Sequence, residues 1–362
     1  MKYSEENSKT RGYKLYADEG GFVSREVLLA HGAGGTIMVE LIKNVIINNI
    51  SQRRVFDGIG LDAMDDGATI PLGDYEVVLT MDGHTVDPIF FPGGDIGRLA
   101  AAGTINDLAV MGARPLAIMD SIIVEEGFSL DDLERIIKSM NETVEEVGAA
   151  VIHGDFKVMP RGKVDRIVIS TAGIGLAERG KILRDSNLRP GDKVIVSGFI
   201  GDHGIALASI REGIEFETTI ESDVAPIWDV IETALKVGGV HAAKDPTRGG
   251  LSMALNEMAS KSGLSIWIRE KDIPIREEVK AASEMLGLNP LEVTCEGVAV
   301  LVVDSSLAEE VLEAIRKTKH GAHASIIGEV KKEPARKVLL ETVVGGRKLL
   351  EPPLGEPTPR VC

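Results

Sequence analysis

Five aspartates in the first half of the chain stand at positions where side chains do chemistry. Asp65 and Asp66 close the segment Gly60-Leu-Asp62-Ala-Met-Asp65-Asp66-Gly67, which crowds three carboxylates together. Asp82 ends a run of buried-strand type, Glu76-Val-Val-Leu-Thr-Met-Asp82-Gly-His84. Asp107 follows Asn106 inside an apolar helical pattern, and Asp155 lies in His153-Gly-Asp155-Phe-Lys157. None of the five has an obvious Lys or Arg partner at close spacing. Crowded carboxylates repel, and a cation ordinarily offsets that repulsion. Mg²⁺ takes hard oxygen ligands and is usually shared with substrate phosphates. Asp65, Asp66, Asp82, Asp107 and Asp155 are therefore candidate metal ligands, and with the Gly-rich turns they suggest a Mg-nucleotide site. A Gly-rich turn, His31-Gly-Ala-Gly34-Gly35, opens an apolar-periodic stretch. Backbone N–H groups at Gly34 and Gly35 suit a phosphate at a helix start. The Walker pattern is absent, as is the kinase Gly-rich loop followed by Val-Ala-Ile-Lys, so the nucleotide site is of another architecture.

A second reactive group stands at the other end. The sequence closes on Glu351-Pro-Pro-Leu-Gly-Glu-Pro-Thr-Pro-Arg-Val-Cys362. Four prolines in this stretch fix φ, remove donors and hold their predecessors out of the α region. The segment reads as a semi-extended arm with a thiol at its tip. The only other cysteine is Cys295. Two cysteines cannot build a disulfide framework or a zinc site. With no apolar segment of signal-peptide type near Met1, the expected setting is a reducing cytoplasm with two thiols rather than a bridge. Cys295 reads as a buried apolar residue. His320 and His323 share a loop with no third ligand nearby, and His84, His153 and His203 each flank a Gly-rich turn.

The elements that must position these groups follow from the rest of the pattern. At 362 residues, 44% hydrophobic and 27% charged, the chain suits two domains with separate cores. Aromatics make up 4%, so aliphatic residues must fill those cores. A net charge of −16 argues against a basic face for sequence-independent nucleic-acid binding. No run approaches the ~18–20 apolar residues of a membrane helix. Strands alternate with helices throughout, which predicts an α/β protein. The texture turns polar near Ala177 to Pro190. The predicted division is a leader at 1–27, a first domain at 28–178, a second at 179–344 and a mobile tail at 345–362, hinged at Gly345-Gly346.

Taken in order, Gly-Leu-Asp62-Ala-Met-Asp-Asp66-Gly, Met-Asp82-Gly-His-Thr, Ile-Asn106-Asp107-Leu-Ala-Val-Met-Gly-Ala-Arg-Pro and His-Gly154-Asp155-Phe-Lys157 resemble the signature of the aminoimidazole ribonucleotide synthetase (PurM-like) superfamily. Phe90-Phe-Pro-Gly-Gly-Asp-Ile-Gly-Arg98, Gly201-Asp-His-Gly-Ile-Ala, Lys244-Asp-Pro-Thr-Arg-Gly-Gly-Leu251, Glu296-Gly297 and Pro359-Arg-Val-Cys362 narrow the resemblance. They are similar to the carbamoyl dehydratase family of nickel–iron hydrogenase maturation. The match runs from about Leu28 to Cys362, and the leader lies outside it.

The resemblance implies two PurM-like α/β domains. The first would form a β-barrel across a homodimer, and the second would carry a mixed sheet. It implies ATP and Mg²⁺, adds Asn106 to the ATP-binding residues, and makes Cys362 a carrier that receives a carbamoyl group from a carbamoyltransferase, HypF. ATP-dependent dehydration would turn that thiocarbamate into a thiocyanate, and the cyano group would pass to iron on a HypC–HypD scaffold. Catalysis would fall to Cys362, Glu296 and Lys157. Glu296 as base with Lys157 stabilising charge is one division of labour; a desolvated Lys157 would reverse it. Two further readings stand beside this one. One is an enzyme on the same scaffold acting on a free small molecule. The other is a non-catalytic adaptor whose tail is only a docking peptide.

Overall fold

The computed structural model describes residues 26–213, 220–355 and 362. Most of the expected leader, and most of the last stretch of the tail, lie outside these residues.

The first domain is a five-stranded mixed sheet covered on one face. Its strands are β1 (Ala68–Leu72), β2 (Tyr75–His84), β5 (Arg114–Glu125), β6 (Ala150–Met159) and β7 (Ile167–Glu178), and a two-residue ribbon forms β3 (Phe90–Phe91) and β4 (Gly94–Asp95). The order is β1-β2-β7-β5-β6, antiparallel except for the β5–β6 pair. Burial alternates along β7 from Ile167 onward, the period-2 pattern of a sheet with one face covered. The cover is helix α2 (Ile96–Val110), capped by Asp95, whose carboxylate accepts the N–H groups of Gly97 and Arg98. It packs so close that a Cβ at Gly173 of β7 would lie 2.6 Å from Thr104 Cγ2. Helix α3 (Leu130–Glu146) packs beside α2. Nearly every residue of α2 is buried, because its far side meets the second domain: Ala109 and Val110 share a core with Ile227, Val230 and Ile231. A helix apolar all round is one covered all round, and that sandwiching is what takes Asn106 and Asp107 inside.

The second domain is a seven-stranded mixed sheet in the order β14 (Arg347–Leu349), β13 (Val338–Glu341), β10 (Ser265–Arg269), β12 (Ser325–Lys331), β8 (Lys193–Val196), β11 (Val300–Val303) and β9 (Val240–Lys244). Its centre is β8 (Lys193–Val196) and β11 (Val300–Val303). Alternate residues of these strands face opposite cores. Val194, Val196, Val300 and Val302 meet Leu251, Leu255 and Met258 of α6 (Gly250–Ser262). Ile195, Leu301 and Val303 meet α5 (Trp228–Val237) and α8 (Ala308–Ile315). Both faces are therefore covered, which is why these strands read as continuous apolar runs. Helices α4 (Asp202–Arg211) and α7 (Glu277–Leu286) pair beyond the sheet, and strands β9 (Val240–Lys244), β10 (Ser265–Arg269) and β12 (Ser325–Lys331) complete the central part.

The tail begins later than the sequence suggests. Residues Val338–Glu341 and Arg347–Leu349 are strands β13 and β14, an antiparallel hairpin at the edge of the second sheet. Gly345 (φ +79°) and Gly346 form its turn, closed by Thr342 N–H donating to Gly346 O at 2.8 Å. The expected hinge is thus a hairpin turn, where glycine supplies the positive φ. Beyond it the chain is still tied down. The Ser252 hydroxyl donates to Glu351 O at 2.8 Å, Asn256 Nδ2 to Leu350 O at 2.9 Å, and Thr36 N–H to Pro353 O at 3.2 Å. No helix among the described residues is long and apolar enough to cross a membrane.

Candidate active site

A cavity of about 480 Å³ opens where the two domains meet. Strand β2 supplies Asp82 and His84, the loop before β1 supplies Asp65 and Asp66, and α2 supplies Asp107. The second domain contributes Thr247, Arg248 and Glu296. Cys362 also lines the cavity; its main-chain oxygen accepts the Thr85 N–H at 3.2 Å, and it packs against the core under α2.

Of the five expected carboxylates, Asp65, Asp66, Asp82 and Asp107 line the cavity and Asp155 does not; Asp66 and Asp107 converge closely, joined by Asp245. Oxygens of Asp66, Asp107 and Asp245 all lie within 4.8 Å of one another. Asp107 Oδ2 also accepts the Thr80 hydroxyl at 2.6 Å. Burial, then the like charges of Asp82, Asp245 and Asp66, push the Asp107 carboxyl well above the usual range. Burial and Asp66 push Asp245 up to about 8, and burial pushes Asp66 to about 6 against the pull of Lys244. Asp245 Oδ2 is buried with no hydrogen-bond partner among the described residues, as are both ring nitrogens of His84 and Oε1 of Glu296. Burial also holds the His84 ring neutral against the nearby Asp82. Hard oxygen donors at this spacing, one of them orphaned, fit a divalent cation.

The sequence misses the cations that balance this cluster, because they come from the other domain. Lys244 Nζ lies 2.6 Å from Asp66, 3.4 Å from Asp185 and 3.2 Å from Glu257. Lys261 Nζ lies 3.1 Å from Asp65 and 2.6 Å from Asp185, and Arg184 Nε lies 3.4 Å from Asp65. Asp65, nearly closed off from solvent and doubly paired, is therefore a domain-locking residue before it is a metal ligand. Arg248 is kept charged by Cys362 first, then by Asp82, Glu296 and Asp107. Asp245 and Arg248 both belong to the quoted Lys244-Asp-Pro-Thr-Arg-Gly-Gly segment, the one signal that pointed to them.

Three expected groups sit elsewhere. Asn106 does not face the cavity. Its Nδ2 donates to Ala225 O at 3.1 Å and Glu296 O at 3.0 Å, and its Oδ1 accepts Ile227 N–H at 2.9 Å. Gly34 and Gly35 are packing positions. A Cβ on Gly34 would meet Arg248 Cβ at 2.2 Å, and one on Gly35 would meet Leu354 O at 2.3 Å. The N–H groups that open the short helix α1 (Thr36–Leu41) already donate to Pro353 and Leu354 carbonyls, so they are not open to a phosphate. Asp155 and Lys157 pair with each other at 2.5 Å on β6, the exposed edge strand, and that pairing holds the Asp155 carboxyl below its ordinary range. Asp155 stands in register with Ser121, Ser170 and Gly83 across the sheet. Three strand spacings put it about 14 Å from the Asp82 region.

Glu296 is buried in the cavity wall. Burial first, then Asp223, Asp245 and Asp82, push its carboxyl well above the usual range, opposed by Arg248. Cys295 is buried as read; its Sγ accepts Gly201 N–H at 3.2 Å, and burial pushes its thiol up.

Two PurM-like domains enclosing an acidic cavity define the class. The N-terminal domain of the AIR synthase related proteins matches residues 64–177, and their C-terminal domain matches residues 189–341. Within that class the chain belongs to the carbamoyl dehydratase HypE family. It is 44% identical to carbamoyl dehydratase HypE of Rhizobium leguminosarum bv. viciae over 358 residues, 98% of this chain and 100% of that protein. The chain in a crystal structure of a HypE–HypF complex superposes with a TM-score of 0.80 at 41% identity, covering 86% of this chain and 99% of that one. A crystal structure of HypE in complex with ATP gives 0.77 at 38% identity, covering 93% and 100%.

Proposed function

We propose that the chain is an ATP-dependent carbamoyl dehydratase that works on a group carried by its own Cys362. The observation that carries the reading is that Cys362 lies in the same cavity as Glu296, Arg248 and the Asp66–Asp107–Asp245 cluster. A thiol inside an acidic nucleotide-type cavity has no simpler use than as acceptor.

The carbamoyl group reaches Cys362 as a thiocarbamate, delivered by a carbamoyltransferase partner of HypF type. Its oxygen is a poor leaving group until ATP phosphorylates it. Phosphate then departs with that oxygen, two N–H protons are lost, and S–C≡N remains. Asp66, Asp107 and Asp245, with Asp82 beside them, would hold Mg²⁺, which when bound offsets charge on the transferring phosphoryl group. Arg248 faces the same group with a fixed positive charge. Glu296, unpaired at Oε1 and little solvated, is placed to take a proton from the carbamoyl nitrogen once ionised. Its raised affinity for protons makes it a stronger base than an exposed carboxylate.

Asp155 and Lys157 belong to this reading through a second copy. Strand β6 is an exposed edge carrying Ile152, Phe156 and Val158, and such an edge is ordinarily covered. A homodimer joined there would build the barrel and bring the partner's edge toward the site. A HypC–HypD iron scaffold would take the cyano group, in a reducing cytoplasm that keeps the thiol available.

Mass spectrometry of Cys362 after incubation with carbamoyl phosphate, the transferase and Mg²⁺·ATP tests the proposal. The expected record is a carbamoyl adduct that loses one water mass only when ATP is present. An adduct that never forms, or never loses water, overturns it.

A further inference from the structure

The peptide around Glu296 is gripped from both domains. Asp223 Oδ1 accepts the Glu296 N–H at 3.1 Å, and Oδ2 accepts the Gly297 N–H at 3.3 Å. On the other side Asn106 of α2 donates to the Glu296 carbonyl at 3.0 Å and to Ala225 O at 3.1 Å. The Ala225 N–H also donates to Glu296 O at 3.4 Å. Arg98, one turn into α2, holds Val224 O at 3.0 Å. Segment 223–227 is thus wedged between the first domain and the Glu296 peptide. Gly297 shows how tight the wedge is: a Cβ there would lie 1.8 Å from Asp223 O.

We propose that Asp223 is a positioning residue for Glu296, resting on the reading of Glu296 as the base. A carboxyl group whose two oxygens accept two consecutive N–H groups is a two-point grip. It fixes the φ/ψ of the Glu296 peptide and so the line along which the Glu296 side chain enters the cavity. From the first domain, Asn106 reaches the Glu296 carbonyl and not its N–H. Asp223 does not line the cavity that holds Cys362 and the carboxylate cluster. It instead lines a separate cavity of about 340 Å³ behind Glu296, with Asp202 and Arg276. Its effect on the reaction therefore passes through Glu296. An amide at this position keeps one acceptor and turns an NH₂ toward a donor, so it cannot serve both N–H groups.

The test uses the full chain with Cys362 carbamoylated, following loss of water in a single turnover, with Mg²⁺·ATP affinity measured alongside. D223N is expected to slow dehydration by about 10- to 100-fold, the cost of misplacing a reacting group by roughly an ångström. ATP affinity is expected to stay within about twofold, because the cluster that holds it is untouched. Combined with the shortened base of E296D, D223N is expected to add little, since both changes act on the same carboxyl. Should D223N fail to fold, Asp223→Ser, smaller and uncharged, reports the same quantities. Wild-type turnover, a parallel loss of ATP affinity, or full additivity with E296D overturns the proposal. E296Q separates the two ideas. If E296Q is slow while D223N is neutral or additive, only the positioning role fails; if E296Q dehydrates normally, Glu296 itself is removed, and Asp223 with it.

Discussion

Lys244 Nζ of the second domain lies 2.6 Å from Asp66 Oδ1 of the first, and both side chains are largely closed off from solvent. The same ammonium reaches Asp185 and Glu257. Removing it strands buried carboxylates, which costs about 3–5 kcal/mol where a buried pair is broken on one side. Lys244→Met is expected to lower the urea midpoint accordingly and to weaken Mg²⁺·ATP binding, because Asp66 then takes a proton more readily. An unchanged midpoint would show the ion pair to be incidental.

The raised carboxyls give the site a pH dependence with a definite sign. Asp66 titrates at about 6 and Asp245 at about 8, both above the ordinary value of 3.8. Between that value and about 8 the folded protein holds protons that the unfolded chain has lost. Stability contributed by these groups is present at the acid end and fades as pH rises through their folded values. Without Mg²⁺ the Tm should therefore be lower at pH 8 than at pH 6. Metal competes with protons for the same oxygens, so Mg²⁺·ATP should bind more tightly at pH 8 and restore the Tm there. Calorimetry at both pH values checks both signs.

Cys362→Ser should leave ATP affinity intact, since no carboxylate is altered, and should abolish carbamoylation. Titration calorimetry and intact mass together read the two effects. A carbamoyl adduct on the Cys362→Ser variant would place the acceptor elsewhere.

Lys157 and Glu296 offer a test of whether the site is shared between copies. In one chain Lys157 stands on the exposed edge strand β6 while Glu296 is buried in the cavity wall. If Lys157 acts across a homodimer, mixing Lys157→Ala with Glu296→Gln creates heterodimers with one intact site. Random exchange of a two-fold dimer then returns about a quarter of wild-type turnover. Recovery near zero would place both groups in the same chain or dispense with one.

Local periodicity carried much of this architecture. Strand β2 ending at Asp82 and α2 carrying Asp107 were both readable because apolar spacing announces strand and helix directly. What could not be read is what distance in sequence conceals. The motif Ile-Asn106-Asp107 assigns Asn106 to the site, yet its partners are backbone groups 119, 121 and 190 residues away. Lys244 and Asp66 are separated by 178 residues. The Gly34–Gly35 turn looked open because its local motif permits an anion, while the Thr36 and Ile37 N–H groups that follow it donate to the carbonyls of residues 353 and 354. Short strands β13 and β14 escaped notice because three or four residues beside charged loops carry little periodic signal.

The late anchoring of the tail has a consequence for traffic between proteins. With the main chain pinned at Pro353 and Leu354, residues 356–362 span at most about 25 Å, at ~3.5 Å per residue. A donor enzyme acting on Cys362 would have to bring its reaction centre to within that radius of the Pro353–Leu354 anchor. If Cys362 is the acceptor, partner choice would favour surfaces that can dock beside Gly355.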